Sequence, residues 1–535
     1  MKRKTNRKGR IALGTLALLL AACAEEPKGD PDRPLNVLMI SINNIGAEHM
    51  SLYGYERVTT PGLDAWAEDA VVFDNFFSHS SWTLPVGTSL FTSLHPYAHR
   101  VMDRWHGNLL DPTILTLPRI LLGNGYRTAA FTGGVDYKSI FGHMDGFEVT
   151  DNNPDFTGFA VTLRQARRWL AGVGEDPFFL FIHGYDTHCP FDPPDEYRGL
   201  FSDPEGKNIT VDHTVCMRGY GNAEVGYTAY VTLGDPFRTK RKDPPKWFKE
   251  KIADGFREHG IDPAQLSAQH ALRDSIVDTI LKVDLTPDDI GHLSDLYDEE
   301  VRYVDALVSE FLADLDDDLL DRTVIILLSE HGEMFAKHGR FGRAGTTRGT
   351  HYDDVLHVPL MMKWPGSTGK RVTGLAQFVD IMPTVLDLVD IAVWQDHQGK
   401  SLLPLVEEDR ALNDYAFAGA LYNVGVSKTN RFFPERSINE SIRNHGWKLI
   451  REGRIEHEAG EEGYTIEDES FELYDIERDP DELTNVADLH PEVLEELKAE
   501  LIQAAARAKS TGGAESGTMP VPEDLIEEAM KRGYW

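Results

Sequence analysis

Cysteine is nearly missing from this chain: three residues in 535 exclude a fold stapled by several disulfides. Positive charge is also in deficit. With 54 Lys and Arg against 87 Asp and Glu, the formal charge of −33 argues against general nucleic-acid binding, which needs a basic face, and against a broad polyanion-binding surface. No internal repeat is visible, which excludes solenoids and propellers. What remains is an ordinary globular composition, 41% hydrophobic and 10% aromatic, long enough for one large domain and a smaller one.

Residues 1–22 read as an export signal. Lys2, Arg3, Lys4, Arg7, Lys8 and Arg10 precede an apolar core from Ile11 to Leu20, which is too short to stay as a bilayer-spanning helix. Leu20-Ala21-Ala22-Cys23 resembles a bacterial lipobox, in which cleavage leaves Cys23 lipidated at the new N-terminus. Loss of six basic residues and no acidic ones would take the charge from −33 to −39. Ala24 after the cysteine, rather than aspartate, resembles the pattern of lipoproteins sent to the outer membrane, which implies a lipid-anchored protein of the bacterial cell envelope. Residues 23–34 are polar and rich in Pro, Gly and Asp, as a tether would be. Cys189 and Cys216 then form an even pair, compatible with one disulfide or with two buried thiols; titration of unfolded protein separates the two.

From residue 35 the chain alternates between apolar runs of strand length and helical periodicity. Leu35 to Ile42, Val71 to Phe77, Arg127 to Thr132, Phe178 to Ile182, Thr323 to Leu328 and Val358 to Met362 read as strands. Segments after Thr60, Leu117 to Asn124, Phe159 to Val173, and a helix marked by Val301, Val304, Val308, Phe311 and Leu315 separate them. The pattern predicts an α/β domain over 35–405, a large mixed sheet flanked by helices. Residues 201–286 interrupt it as an insertion, with Arg238, Lys240, Arg241, Lys242, Lys246, Lys249 and Lys251 concentrated there. Such a run reads as a solvated face or as a docking site for an anionic envelope polymer. Residues 406–508 shift to short strands (Tyr415 to Leu421, Ser441 to Ile450, Phe471 to Tyr474) and a helix from Pro491 to Ala508, an α+β subdomain. Residues 509–535 read as a linker and a short helix, Pro522 to Tyr534.

Chemistry concentrates at three places. Thr83 stands just before Pro85, where Val86, Leu90, Phe91 and Leu94 begin a helix. A hydroxyl there is either a helix cap or, beside the positive end of the dipole, a nucleophile toward a phosphate or sulfate ester. Asn43-Asn44 and Glu330-His331 follow apolar strands, and ligands in open α/β sheets gather at such strand ends. Oxygen and imidazole donors there would hold a divalent cation that ionises the threonine. His188 follows another strand and is a candidate for the same edge; for each such histidine a structural hydrogen bond is the competing reading.

The stretches LNVLMISINN, HMSLYGYERVTTPGLDAWAEDAVVFDNFFSHSSWTLP, FFLFIHGYDTHCPFDPPDEY, TVIILLSEHGE, HVPLMMKWPG, GWKLI and FELYDIERDPDELTNV together resemble the sulfatase family of the alkaline phosphatase superfamily. The resemblance implies a sulfatase-like fold, Thr83 at the nucleophile position, His188 on the substrate side, and Asn43, Asn44, Glu330 and His331 at the metal-ligand positions. Glu333, His338 and His351 lie near enough in sequence to support that shell. The family's nucleophile is a formylglycine made from Cys or Ser in Cys/Ser-x-Pro-x-Arg. Here the segment is Thr83-Leu84-Pro85-Val86-Gly87, without a convertible residue or the arginine, so no formylglycine is expected. Threonine oxygen would have to act directly, as in phosphotransferase and phosphodiesterase relatives, which tilts the substrate toward phosphate or phosphonate esters. Asn43 and Asn44 are neutral where the family has aspartate, which weakens affinity for a hard cation.

Two functions are thereby expected. One is a metal-dependent hydrolase or transferase of sulfate, phosphate or phosphonate esters, small-molecule or glycan, using Thr83 and one Ca, Mg, Mn or Zn ion. The other is a non-catalytic protein of the same fold that binds or scaffolds.

Overall fold

In the computed structural model, residues 33–102, 109–152, 157–189, 191–203, 217–219, 227–232, 280–339, 342, 350–392, 397–423, 436–459 and 463–510 are described. The signal segment with Cys23, Cys216 and with it the disulfide expectation, the basic cluster from Arg238 to Lys251 and the terminal helix lie outside them.

Eight strands form the central sheet: β1 (Asn36–Ile42), β2 (Val71–Phe73), β3 (Arg127–Phe131), β4 (Val149–Asp151), β5 (Phe178–Gly184), β6 (Thr323–Ser329), β7 (Leu360–Lys363) and β8 (Lys370–Val372). Their order is β8-β2-β7-β6-β1-β5-β3-β4. β1 runs parallel to β5 and β6, whereas β7 is antiparallel to β6 and β2, so the sheet is mixed. β1 is buried along its whole length, which explains why it reads as a continuous apolar run rather than an alternating one.

Alternation along β1 divides the core. Leu38, Ile40 and Ile42 face one layer, built with Leu163 and Ala166 of helix α4 (Phe159–Leu170) and Val301, Val304, Val308 and Phe311 of α5 (Pro287–Ala313). Val37 and Met39 face the other, with Val86, Leu90 and Phe91 of α2 (Thr83–Thr92), Leu117 and Leu121 of α3 (Leu117–Gly123), and Ile381 and Val385 of α6 (Ile381–Leu388). Helix α1 (Pro61–Ala67) packs on the α5 side through Leu63. α5 starts earlier than its apolar stripe suggests, because Thr286 and Asp289 form a capping box ahead of Pro287.

The C-terminal sheet is an antiparallel meander of β9 (Ala416–Asn423), β10 (Arg436–Arg443), β11 (Trp447–Ala459) and β12 (Gly463–Asp475), with α7 (Pro491–Ser510) packed on it through Leu497 and Leu501. Two sequence expectations are corrected. Ser441 to Ile450 is a hairpin, not one strand: the Asn444 side chain accepts from the Gly446 and Trp447 amides and turns the chain. Val71 to Phe77 is likewise two strands, broken at Asp74 and Asn75, with Phe76–Phe77 pairing to Ala376–Gln377 instead.

Candidate active site

β1 and β6 pair in register to their last residues, Ile42 opposite Ser329, so Asn43, Asn44, Glu330 and His331 leave the sheet side by side. Asn44 adopts a left-handed conformation, φ 69°, which asparagine tolerates better than most residues. Its amide donates to Glu333 Oε2 at 2.9 Å and to the Thr187 carbonyl at 3.1 Å, and the Thr187 hydroxyl donates to the Asn43 carbonyl. The loop after β5 is thereby fastened to the end of β1.

Thr83 is the first residue of α2. Trp82, not Thr83, occupies the cap position, and no side chain caps the helix, so the reading of Thr83 as a cap is set aside. Its Oγ1 lies 3.3 Å from His331 Nε2. The His331 Nδ1 stands 3.1 Å from the Gly332 carbonyl oxygen, which can only accept. In the neutral ring the proton is therefore on Nδ1, and Nε2 presents its lone pair to the threonine hydroxyl. Pro85 in the first turn removes a backbone donor that would have had no partner.

Glu330 is fully buried, and its Oε1 accepts from the Ser41 hydroxyl at 2.8 Å and the Tyr137 hydroxyl at 2.6 Å, with His183 Nε2 at 3.3 Å. Burial pushes this carboxyl up, but His183, His331 and the Tyr137 hydrogen bond outweigh it and hold the group at about 2. The same burial and the Glu330 charge push the Tyr137 phenol well above its ordinary value. Glu330 Oε2 and both polar atoms of the Asn43 side chain are buried without a hydrogen-bond partner.

The remaining expected residues are distributed around this centre. The His188 ring stacks on Tyr185, centroids 4.2 Å apart, with Nδ1 at 2.8 Å from the Cys189 carbonyl; Thr187, the residue before it, bonds both asparagines. Glu333 holds Asn44. His351 meets the Tyr422 hydroxyl at 3.0 Å, and that hydroxyl also meets Ser80 and Ser81, so His351 reaches the Thr83 loop through one intermediary. His338 lies elsewhere, stacked on Tyr352 at 3.6 Å and 3.8 Å from Asp354. Cys189 is buried. Among the described residues, no group of three or more His, Cys, Asp or Glu is arranged to hold a metal ion.

Sequence reasoning missed Ser41, Tyr137, His183 and Tyr422. His183 is the single ionisable side chain inside the apolar strand β5, and that was its one legible signal. Tyr137 carried none, since its partner is 193 residues away.

The sulfatase family model matches residues 35–391, and a model for the N-sulphoglucosamine sulphohydrolase C-terminal region matches residues 346–507. The chain is 32% identical to human arylsulfatase K, over 92% of this chain and 86% of that one. It is 23% identical to an N-acetylglucosamine-6-O-sulfatase of Bacteroides thetaiotaomicron, over 89% and 86%. Among solved structures, one in complex with its substrate D-glucosamine-2-N,6-O-disulfate superposes with TM-score 0.63 at 18% identity, covering 90% of this chain and 100% of that one. The phosphonate monoester hydrolase of Agrobacterium radiobacter gives 0.61 at 20% identity, covering 89% and 96%. At these identities the two structures speak to fold alone.

Proposed function

The chain belongs to the sulfatase family, and on that premise we propose that it hydrolyses or transfers the sulfuryl or phosphoryl group of sulfate, phosphate or phosphonate esters, with Thr83 as nucleophile and His331 as base. The single observation that carries this reading is the 3.3 Å approach of the Thr83 hydroxyl to His331 Nε2, with Nδ1 of the same ring facing a carbonyl oxygen. Thr83 Oγ1 attacks sulfur or phosphorus as His331 Nε2 takes the hydroxyl proton. The bond to the leaving alcohol breaks in line with the attack, and that oxygen takes a proton from water. A water molecule then attacks from the vacated side, losing a proton to solvent, while His331 returns its proton to the departing Thr83 oxygen; sulfate, phosphate or phosphonate is released and Thr83 is restored. The start of α2 places positive dipole at the developing anion. The relative named as an N-acetylglucosamine-6-O-sulfatase supports a sugar ester among the substrates.

The family generally uses a divalent metal. The residues present here do not fit a hard one. Such cations want several anionic oxygens, and affinity falls as the carboxylate count drops. Glu330 is the single carboxylate among the four expected ligand positions, and three protein groups already surround one of its oxygens. The unpartnered Asn43 amide offers a donor as well as an acceptor, which suits a water molecule or an ester oxygen better than a cation. No step above passes through a metal.

Export and lipid anchoring in the bacterial envelope complete the proposal, supported by the lipobox-like Leu20-Ala21-Ala22-Cys23. Cys23→Ser is expected to move the protein from the membrane to the soluble fraction. The catalytic reading is tested with 4-nitrophenyl sulfate, bis(4-nitrophenyl) phosphate and a phenyl phosphonate ester. Wild type should exceed Thr83→Ala by on the order of 10³-fold on at least one of them. Equal rates on all three would leave the second reading, a non-catalytic binding protein. That reading is favoured by the lack, among the described residues, of a metal-holding acidic group; it expects both proteins to bind such esters equally without turnover.

A further inference from the structure

Gly87 lies in the middle of α2, a place where glycine weakens a helix relative to alanine. A Cβ added there would stand 2.9 Å from Tyr137 Cε1 and 3.0 Å from its hydroxyl oxygen. The missing side chain is therefore the space in which the Tyr137 ring sits, and the seat directs the phenol 2.6 Å from Glu330 Oε1. The ring is enclosed further by His183 at 4.8 Å between centroids and Phe181 at 5.0 Å. Ser41, from β1, reaches the same carboxylate oxygen as Tyr137, and His183, from β5, stands 3.3 Å from it. Three elements thus converge on one oxygen of a residue adjacent to His331.

We propose that Tyr137, seated on Gly87, acts with His183 and Ser41 in place of a divalent ion to hold Glu330, so that the Thr83–His331 pair is positioned in a cation-free site. Tyr137 is a positioning residue: it acts on His331 through Glu330, its neighbour in the chain. A buried carboxylate needs compensation, and a cation or charge-assisted hydrogen bonds can supply it. Here the donors are built into the fold, and the glycine that departs from the family's arginine is what admits the largest of them. The proposal rests on the catalytic reading for its mention of Thr83, but its readouts do not involve turnover.

The test uses the mature chain, purified without added metal. Its metal content is measured, and its Tm is followed in EDTA and in Ca, Mg, Mn or Zn salts separately. Metal well below one equivalent, and one Tm in all five conditions, are expected. A stoichiometric divalent ion, or a Tm lowered by EDTA, would overturn the proposal. A double-mutant cycle supplies the second arm. Tyr137→Phe should lower Tm by about 3 °C in the wild-type background and by clearly less in Glu330→Gln, because the charge-assisted bond is what it removes. An equal loss in both backgrounds would mean that Tyr137 only fills space, and would sink the idea. If the variants fail to fold, the metal and EDTA measurements on wild type decide alone. Failure to turn over any ester, with these results intact, would overturn the catalytic reading and leave the cation-free site standing.

Discussion

Two buried acidic centres in this protein are compensated in opposite ways. At the end of β1, Glu330 is met by a serine, a tyrosine and a histidine, and one of its oxygens is left without a partner. At the seam with the C-terminal sheet, Asp353 and Glu482 are met by full cations. Lys448 Nζ lies 2.6 Å from Asp353 and 2.7 Å from Glu482, and Arg443 also pairs with Asp353. Lys448 and Glu482 are each 1% exposed. The contrast teaches that where the fold needs only a joint, cations are built into it beside the carboxyl groups. At the strand ends two hydroxyls and an imidazole meet one oxygen, while the other oxygen and the Asn43 side chain stay buried without a partner.

The comparison can be broken most forcibly at Lys448. Lys448→Met removes the cation that Asp353 and Glu482 share, leaving Arg443 on Asp353, and urea unfolding is expected to show a loss of about 3–5 kcal/mol. A loss under about 1 kcal/mol would show the seam to be hydrated, and the contrast false. Next in size is Tyr137→Phe, which leaves Ser41 and His183 in place at Glu330 and is expected to cost about 1.5–3 kcal/mol by the same measurement.

Acid sharpens the difference. Glu330 is held at about 2 in the folded protein against an ordinary 4.5, so below that ordinary value the unfolded chain binds the proton first. Its stabilisation is present above pH 4.5 and is lost as pH falls toward 2. Glu482 has the opposite sign. Burial pushes it up to about 8, with Asp353 adding to burial and Lys448 opposing it. The folded state therefore holds its proton longer, and stability declines as pH rises from 4.5 to 8. Glu330→Gln should flatten the acid limb and Glu482→Gln the alkaline one, read as Tm against pH. The smallest effect is expected at the exposed pair Arg119–Asp145, 3.0 Å apart with side chains 44% and 56% exposed. Arg119→Ala should change stability by less than about 1 kcal/mol.

Much of the scaffold is legible in the sequence, because β1, β5 and β6 are buried on both faces and so appear as uninterrupted apolar runs. The stripe from Val301 to Phe311 likewise marks its helix face. The hairpin at Asn444 carries its own signal, Asn444-His445-Gly446 between two strand-like runs, and a continuous reading of Ser441 to Ile450 overlooks it. At the site, local adjacency revealed Asn43, Asn44, Glu330 and His331, and the helix start revealed Thr83. The groups that compensate Glu330 come from 147, 193 and 289 residues away along the chain, and no periodicity encodes such a meeting. Gly87 was visible as a departure from the family's arginine, but its purpose appears only when the Tyr137 ring is found against it.

The central claim, that the Thr83 oxygen is the nucleophile and His331 its proton acceptor, is tested most directly by trapping. With 4-nitrophenyl sulfate or a nitrophenyl phosphate ester the leaving group needs little protonation, so nitrophenol release reports attack by Thr83 and the transfer of its proton to His331. The account predicts that wild type acid-quenched during turnover carries a sulfuryl or phosphoryl group on Thr83, and that His331→Ala releases nitrophenol on the order of 10²-fold more slowly. Turnover by wild type with Thr83 unmodified, or nitrophenol release by His331→Ala at the wild-type rate, would contradict it.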